Sequence, residues 1–276
     1  VRPDELAILS KLLYRDHIRV ADFIKEYQKT YGIKISTSQV NEAIQVLQGH
    51  FVSKEAEYQK FRQIDILEND QSGMIRRLQS YTERLAHIQF YTQVEDIIKV
   101  GIARYKDKYF PGRIVDSPFV LYEKYSRRDV SLLMNCGKDL SSIMYGMKRI
   151  EDDVFIFITY HKEESQDEKN YVDGKPDYAD AFEDDLIFKW DSQIGKGLDS
   201  SYMKDVLEAE RKHLLVKKSD AETSFYYMGQ FTVVEARNAR KEDNRGRMQP
   251  ITKVTMKMQH PVREDLLRYL QSNITA

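Results

Sequence analysis

Apolar residues recur at spacings of three and four through the first hundred or so positions, and in short alternating or continuous runs beyond them. Over 4–15 (DELAILSKLLYR), Leu6, Leu9, Leu12 and Leu13 form the buried stripe of an amphipathic helix. Residues 20–31 repeat the pattern with Phe23, Ile24 and Tyr27, and Gly32 follows as a C-terminal stop. Ser36, Thr37 and Ser38 then offer N-caps for a third helix through Val40, Ile44, Val46 and Leu47, ending near Gly49. Three short helices in this space predict a helix-turn-helix or winged-helix unit, or else a small helical bundle. The third helix (QVNEAIQVLQ) has no Lys or Arg to meet phosphate, which favours the bundle. Residues 61–67 predict a brief strand or an extended link, and 74–85 and 94–105 predict two further helices. Pro111-Gly112 is a turn signal, and the domain boundary is placed there.

After the boundary the period changes. Runs at 119–122, 154–160, 186–190, 213–217, 225–228, 231–234 and 252–256 are short and rich in β-branched and aromatic residues. Residues 252–258 (TKVTMKM) alternate as a strand with one wet face should. Short helices are expected at 126–135, 201–211 and 263–271. The fold class is therefore α+β: a helical domain at 1–113, then a mainly β domain at 114–276, read as a barrel or sandwich.

Charge changes this picture more than composition does. The formal net charge is −1, but residues 151–185 carry 13 acids against 3 bases. The rest of the second half is basic, with 22 Lys/Arg against 16 Asp/Glu, and residues 1–113 carry 18 against 15. A neutral total hides one acidic segment between two mildly basic regions. The start, Val1-Arg-Pro-Asp, has no signal-peptide character and reads as a fragment of a longer polypeptide. No apolar run reaches the roughly 18–20 residues of a spanning helix. A single cysteine, Cys136, excludes an internal disulfide and a Cys-based zinc site, and the cytoplasm is the expected compartment.

No catalytic constellation emerges. The acidic segment lacks calcium-loop spacing and reads as a solvated loop. The six histidines have no ligand spacing, and Gly146 is followed by Met-Lys-Arg rather than a phosphate-cradling pattern. Ser142, Ser192 and Cys136 stand in no nucleophile motif. What remains is basic residues interleaved with aromatics. They occur at Tyr122-Glu-Lys-Tyr-Ser-Arg-Arg128, Tyr160-His-Lys162, Lys189-Trp190, Lys217-Lys218 and Tyr226-Tyr227. Cations of this kind meet phosphates, and aromatic faces stack unpaired bases. The only tryptophan, Trp190, lies in Phe188-Lys-Trp-Asp-Ser-Gln193. Its pattern leans to a core position, with Ser192 and Gln193 at the surface.

Four blocks carry a family resemblance: Phe119-Val-Leu-Tyr-Glu-Lys-Tyr-Ser-Arg-Arg-Asp-Val130, Ile156-Phe-Ile-Thr-Tyr-His-Lys162, Phe188-Lys-Trp-Asp-Ser-Gln193, and Leu215-Val-Lys-Lys218 with Phe225-Tyr-Tyr-Met-Gly229. Pro250 and His260-Pro-Val-Arg-Glu-Asp-Leu266 also fit. The second half resembles the C-terminal domain of unknown function of large bacterial proteins. Those proteins join a phospholipase-D-type nuclease to a superfamily II (DEAD/restriction-type) helicase. The first half looks like the region that precedes it.

The resemblance implies an accessory part of a DNA helicase/nuclease, without catalysis of its own, working in DNA restriction or phage defence. ATP and Mg are then expected only at the absent helicase core, and no cofactor or metal in this fragment. DNA and the helicase and nuclease domains are the expected partners, with no membrane. A PUA-like or restriction-effector pseudo-barrel is the expected second domain. In it Trp190 and Tyr227 would stack and Ser192 and Gln193 would read a base edge. Lys124, Arg127, Arg128, Lys162, Lys217 and Lys218 would meet phosphate. The alternative is a protein-interaction or regulatory module docking on the helicase core.

Overall fold

The structure is a computed structural model. It describes residues 3–52, 54–61, 64–70, 72–109, 117–161, 171–172, 175–176, 180–243 and 245–272. The chain divides into two compact units: Val1–Phe119 with Arg128–Ser141, and Val120–Arg127 with Ser142–Ala276.

The first unit runs α1 (Asp4–Tyr14), β1 (His17–Arg19), α2 (Val20–Tyr31), α3 (Thr37–Leu47), α4 (Glu55–Phe61), β2 (Leu67–Asn69), β3 (Met74–Arg77), α5 (Gln79–Leu85) and α6 (Ile88–Tyr109). The caps act as the sequence predicts. Gly32 closes α2 with φ +67°, a conformation that needs no Cβ. Ser36 and Gln39 form a reciprocal capping box at the start of α3. The predicted helix over 74–85 is corrected to a strand followed by a helix. Ile75 is fully buried opposite Ile18, and β3 lies between β1 and β2 in an antiparallel sheet. A buried strand partner outweighs the local helical pattern.

The second unit adds β4 (Lys124–Tyr125), β5 (Met147–Ile150), β6 (Asp153–His161), β7 (Tyr171–Val172), β8 (Lys175–Pro176), β9 (Ala181–Phe182), β10 (Ile187–Asp191), α8 (Ser201–Glu208), β11 (Arg211–Ser219), β12 (Phe225–Glu242), β13 (Met248–Met258) and α9 (Glu264–Gln271). Between β4 and β5 the chain passes through α7 (Arg127–Leu133). The large sheet has the order β5-β6-β11-β12-β13-β10-β9, with β4 also paired to β12. Among the described residues only β6 and β11 pair in parallel; the other pairs of this sheet are antiparallel. The expected barrel is corrected to an open mixed sheet, whose edges β5 and β9 are not paired to each other among the described residues.

Two predicted strands, 225–228 and 231–234, are one 18-residue strand, β12. Its continuity passes through Gly229 at φ +102°, opposite a register shift in β11. Strand β6, between β5 and β11, is buried on both faces, which is why it reads as the unbroken apolar run Val154–Ile158. One core contains Ile156, Phe188, Trp190, Val254 and Met256, packed with Met203 and Val206 of α8 and Leu266 and Leu270 of α9. Most of the acidic segment after His161 lies outside the described residues.

Candidate nucleic-acid interface

Alternation along β10 sends Phe188 and Trp190 inward and Ile187, Lys189 and Asp191 outward. Trp190 is 3% exposed beside Tyr202, so its expected stacking role is corrected to a core role. Ser192, expected at the surface, is buried. Its hydroxyl donates to the Lys196 carbonyl at 2.6 Å and accepts from the Thr252 N–H at 2.8 Å, clamping the turn after β10. Tyr227 is fully buried, which likewise removes it from base stacking.

Other predicted residues gather in two groups at the end of the sheet where β12 begins. Lys124 and Glu222 form an ion pair, with the Lys124 ammonium 4.5 Å from the Tyr226 ring centroid. Lys217 donates to the Glu222 carbonyl at 3.0 Å, and the Lys218 backbone N–H donates to the Glu222 carboxylate at 2.8 Å. The Lys218 ammonium lies over Tyr269. Burial favours the neutral form of Glu222, but Lys124, the Lys218 N–H and the Tyr269 hydroxyl outweigh it and lower its pKa. Beside them Arg127 sits over Tyr145, Phe157 and Phe225, and burial lowers its pKa. Gln193, exposed as expected, donates to the Tyr145 carbonyl at 3.3 Å. Arg128 belongs to the first unit, where it holds Asp139 at 2.6 Å and Glu57 at 2.9 Å. Lys162 lies outside the described residues. Carboxylates or rings thus already engage most of the predicted cations.

The sequence reading missed a buried polar network that ties three strands together. Asp153 on β6 takes a bidentate pair from Arg211 on β11, at 2.8 and 2.6 Å. His213, also on β11, lies between Asp153 at 2.7 Å (Nε2) and the Tyr227 hydroxyl of β12 at 2.9 Å (Nδ1). A carboxylate only accepts, so Nε2 carries the proton and Tyr227 donates to Nδ1. Burial opposes the charged form of Asp153, but hydrogen bonds from His213 and Arg211 hold its pKa at about 2. Burial also lowers the pKa of His213. The ring is 3% exposed and stacked on Phe155, so the network serves to join strands. The visible signal was a histidine opening an otherwise apolar run.

A second missed feature faces solvent. The registers Asp191↔Lys253, Lys189↔Thr255 and Ile187↔Lys257 across β10–β13, with Arg237↔Lys253 and Thr232↔Lys257 across β12–β13, align one outer face. It carries Lys189, Lys253, Lys257 and Arg237, opposite the inward side with Trp190, Val254 and Met256. Lys253 lies 3.7 Å from Asp191, Lys189 lies 3.3 Å from Glu183, and Arg237 lies 3.7 Å from Glu235. These are loose pairs whose cations stay exposed, so most of the positive potential remains in place. β12 and β13 then continue to a tip with Arg240, Lys241, Arg245 and Arg247. Together 187–191 and 232–257 carry eight Lys/Arg against four Asp/Glu, while the whole chain is at −1. The signal was the run RNARKEDNRGR at 237–247, with five bases in eleven residues.

Among the described residues no group of three or more His, Cys, Asp or Glu is placed to hold a metal ion, and no helix is long and apolar enough to cross a membrane.

Residues 119–270 match the family described as domain of unknown function DUF3427, and residues 1–108 match domain of unknown function DUF8090. No curated protein matches the chain. Solved structures with some likeness include the MspJI restriction endonuclease in complex with a 27-mer oligonucleotide (11% identity, TM-score 0.29, 41% of this chain and 31% of that one). SUVH6 of Arabidopsis thaliana in complex with SAM is another (11% identity, TM-score 0.34, 86% and 42%). A third is the sulfur-binding and SRA domains of ScoMcrA complexed with phosphorothioated DNA (10% identity, TM-score 0.30, 98% and 88%). The chain spans less than half the length of the first two. TM-scores of this size mark a loose likeness only.

Proposed function

We propose that this chain, which belongs to the family described as domain of unknown function DUF3427, is a DNA-recognition module. The observation that carries the proposal is the cationic outer face of β10, β13 and β12, continued onto the β12–β13 hairpin. Such a face supplies what DNA affinity needs first, exposed Lys and Arg on a rigid sheet.

In this proposal the chain binds and does not catalyse. It works beside the superfamily II helicase core and phospholipase-D-type nuclease that the sequence resemblance implies, in restriction or phage defence, and ATP and Mg belong to that core. In the first unit α1-β1-α2-α3 and then β2-β3, with α4 inserted between α3 and β2 and with β3 between β1 and β2, follow the connectivity of a winged helix. That supports the winged-helix reading, although the outward positions Ser38, Asn41 and Gln45 of α3 are uncharged.

Fluorescence anisotropy of labelled DNA from 50 to 200 mM salt tests the proposal. Four phosphate contacts give a slope of log K against log salt near −3.6, a loss of about 10²-fold over that range. Absence of binding at 50 mM salt to duplex, single-stranded and base-modified DNA would refute it. A docking role on the helicase core is the second reading, favoured by Ile97 and Val100, which stand 66% and 51% exposed one turn apart on α6. Intact DNA affinity of a Lys189→Gln/Lys253→Gln/Lys257→Gln variant, with altered ATPase coupling in the parent protein, would favour that reading.

A further inference from the structure

The support given to β13 by its neighbours stops before the hairpin does. Pairing with β10 ends at Asp191↔Lys253, and two more bonds follow: Ser192 N–H to the Thr252 carbonyl and Gly195 N–H to the Pro250 carbonyl, both at 2.9 Å. On its other edge β12 is paired with β11 only as far as Gln230. Beyond Arg240↔Pro250 the pairs Lys241↔Gln249 and Glu242↔Met248 form a two-stranded ribbon standing off the sheet.

The tip of this ribbon is built. The Asp243 carboxylate accepts from the Arg245 N–H at 2.9 Å, the Arg247 N–H at 3.0 Å, the Arg247 Nε at 3.0 Å and the Gln249 Nε2 at 3.1 Å. Gly246 takes φ +73°, and its N–H donates to the Asp243 carbonyl at 2.9 Å. One acid thus organises the turn and holds the Arg247 guanidinium back against itself, leaving the exposed Arg245 side chain at the tip. A preformed turn loses little conformational freedom on binding. The flanking ribbon adds Arg240 and Lys241, and Met248 stands 56% exposed.

We propose that the ribbon Arg240–Pro250 enters the major groove of double-stranded DNA, with Arg245 directed at base edges and Arg240 and Lys241 at the flanking phosphates. This rests on the DNA-recognition reading and names its ligand as duplex rather than single-stranded DNA. Two strands about 4.8 Å apart with side chains fit a groove about 12 Å wide and are too broad for one of about 6 Å. The two free rungs, Lys241↔Gln249 and Glu242↔Met248, at about 3.4 Å each, with the turn beyond them, reach the roughly 8.5 Å depth of the groove. Arginine is the side chain best suited to guanine O6 and N7 there, and an exposed methionine suits a thymine methyl.

The experiment measures binding of a 20-base-pair duplex and its single strand by the whole chain, by Arg240→Gln/Lys241→Gln/Arg245→Gln, and by Lys189→Gln/Lys253→Gln/Lys257→Gln. Dimethyl sulfate interference on the duplex with the unaltered chain accompanies it. The ribbon variant is expected to bind duplex at least tenfold more weakly and to flatten the salt slope by about 2. Methylation at guanine N7, in the major groove, is expected to block binding. Unchanged duplex affinity of a folded ribbon variant overturns the proposal, and so does interference confined to adenine N3. The interference measurement decides the matter should the ribbon variant not fold. Weaker binding by the sheet-face variant alone would sink the ribbon and leave DNA recognition standing. No binding by the unaltered chain would sink both.

Discussion

Replacing Asp153 with asparagine removes the one negative charge from a buried junction of three strands. Its carboxylate is 5% exposed and accepts from His213 and from both arms of the Arg211 guanidinium. Held at about 2 against an ordinary 3.8, that carboxyl contributes about 2.5 kcal/mol to stability at neutral pH. The substituted amide keeps one acceptor oxygen, but its nitrogen faces Arg211 Nη2, donor against donor. Arg211 is 43% exposed and can turn towards water, which limits the penalty. The expected loss is therefore about 2–3 kcal/mol. With a slope near 2 kcal/mol/M the urea midpoint falls by about 1 M. Trp190, the only tryptophan and buried in the same unit, reports that transition by fluorescence. The sign of the pH dependence follows from the lowered pKa. The stabilisation is full above about pH 4 and is lost as pH falls towards 2, so the gap between wild type and Asp153→Asn narrows by about half at pH 3. Equal midpoints at pH 7, or a gap of the same size at pH 7 and pH 3, would refute this account of the network.

Three further outcomes are expected. Trp190→Ala leaves a large cavity beside Phe188 and Met256 and costs about 3–5 kcal/mol by chemical denaturation; the fraction that stays folded keeps its DNA affinity, since the ring touches no outer surface. Gly229→Ala places a Cβ 2.9 Å from Leu121 Cδ2 at φ +102°, and a loss of about 1–3 kcal/mol in the same assay is the result to look for. His213, with its pKa lowered from 6.5 by burial, makes the second unit most stable above about pH 6.5 and less stable as pH drops below it; His213→Gln, followed by thermal unfolding at pH 5 and 7.5, should lose that slope.

Local pattern was enough for the helices of the first unit and for most strands of the second. Gly32 and Ser36 end and start helices through their own backbone and side-chain chemistry, and alternation at 187–191 alone turns Trp190 inward. Partners distant in sequence decided the rest. Met74–Arg77 is a strand because Ile75 is buried between nearby Asn69 and Ile18, and Ile18 lies far back along the chain. The Asp153–His213 contact joins positions 60 apart, and no spacing rule reaches across that gap. The basic residues show the same division. Their number was plain in the sequence, but only the fold sets the Lys124 ammonium on Glu222 and that of Lys217 on Asp220, and leaves Lys189, Lys253 and Arg237 along one outer face with looser partners. Charge is a property of the residue; whether it meets solvent or a carboxylate is settled by tertiary packing.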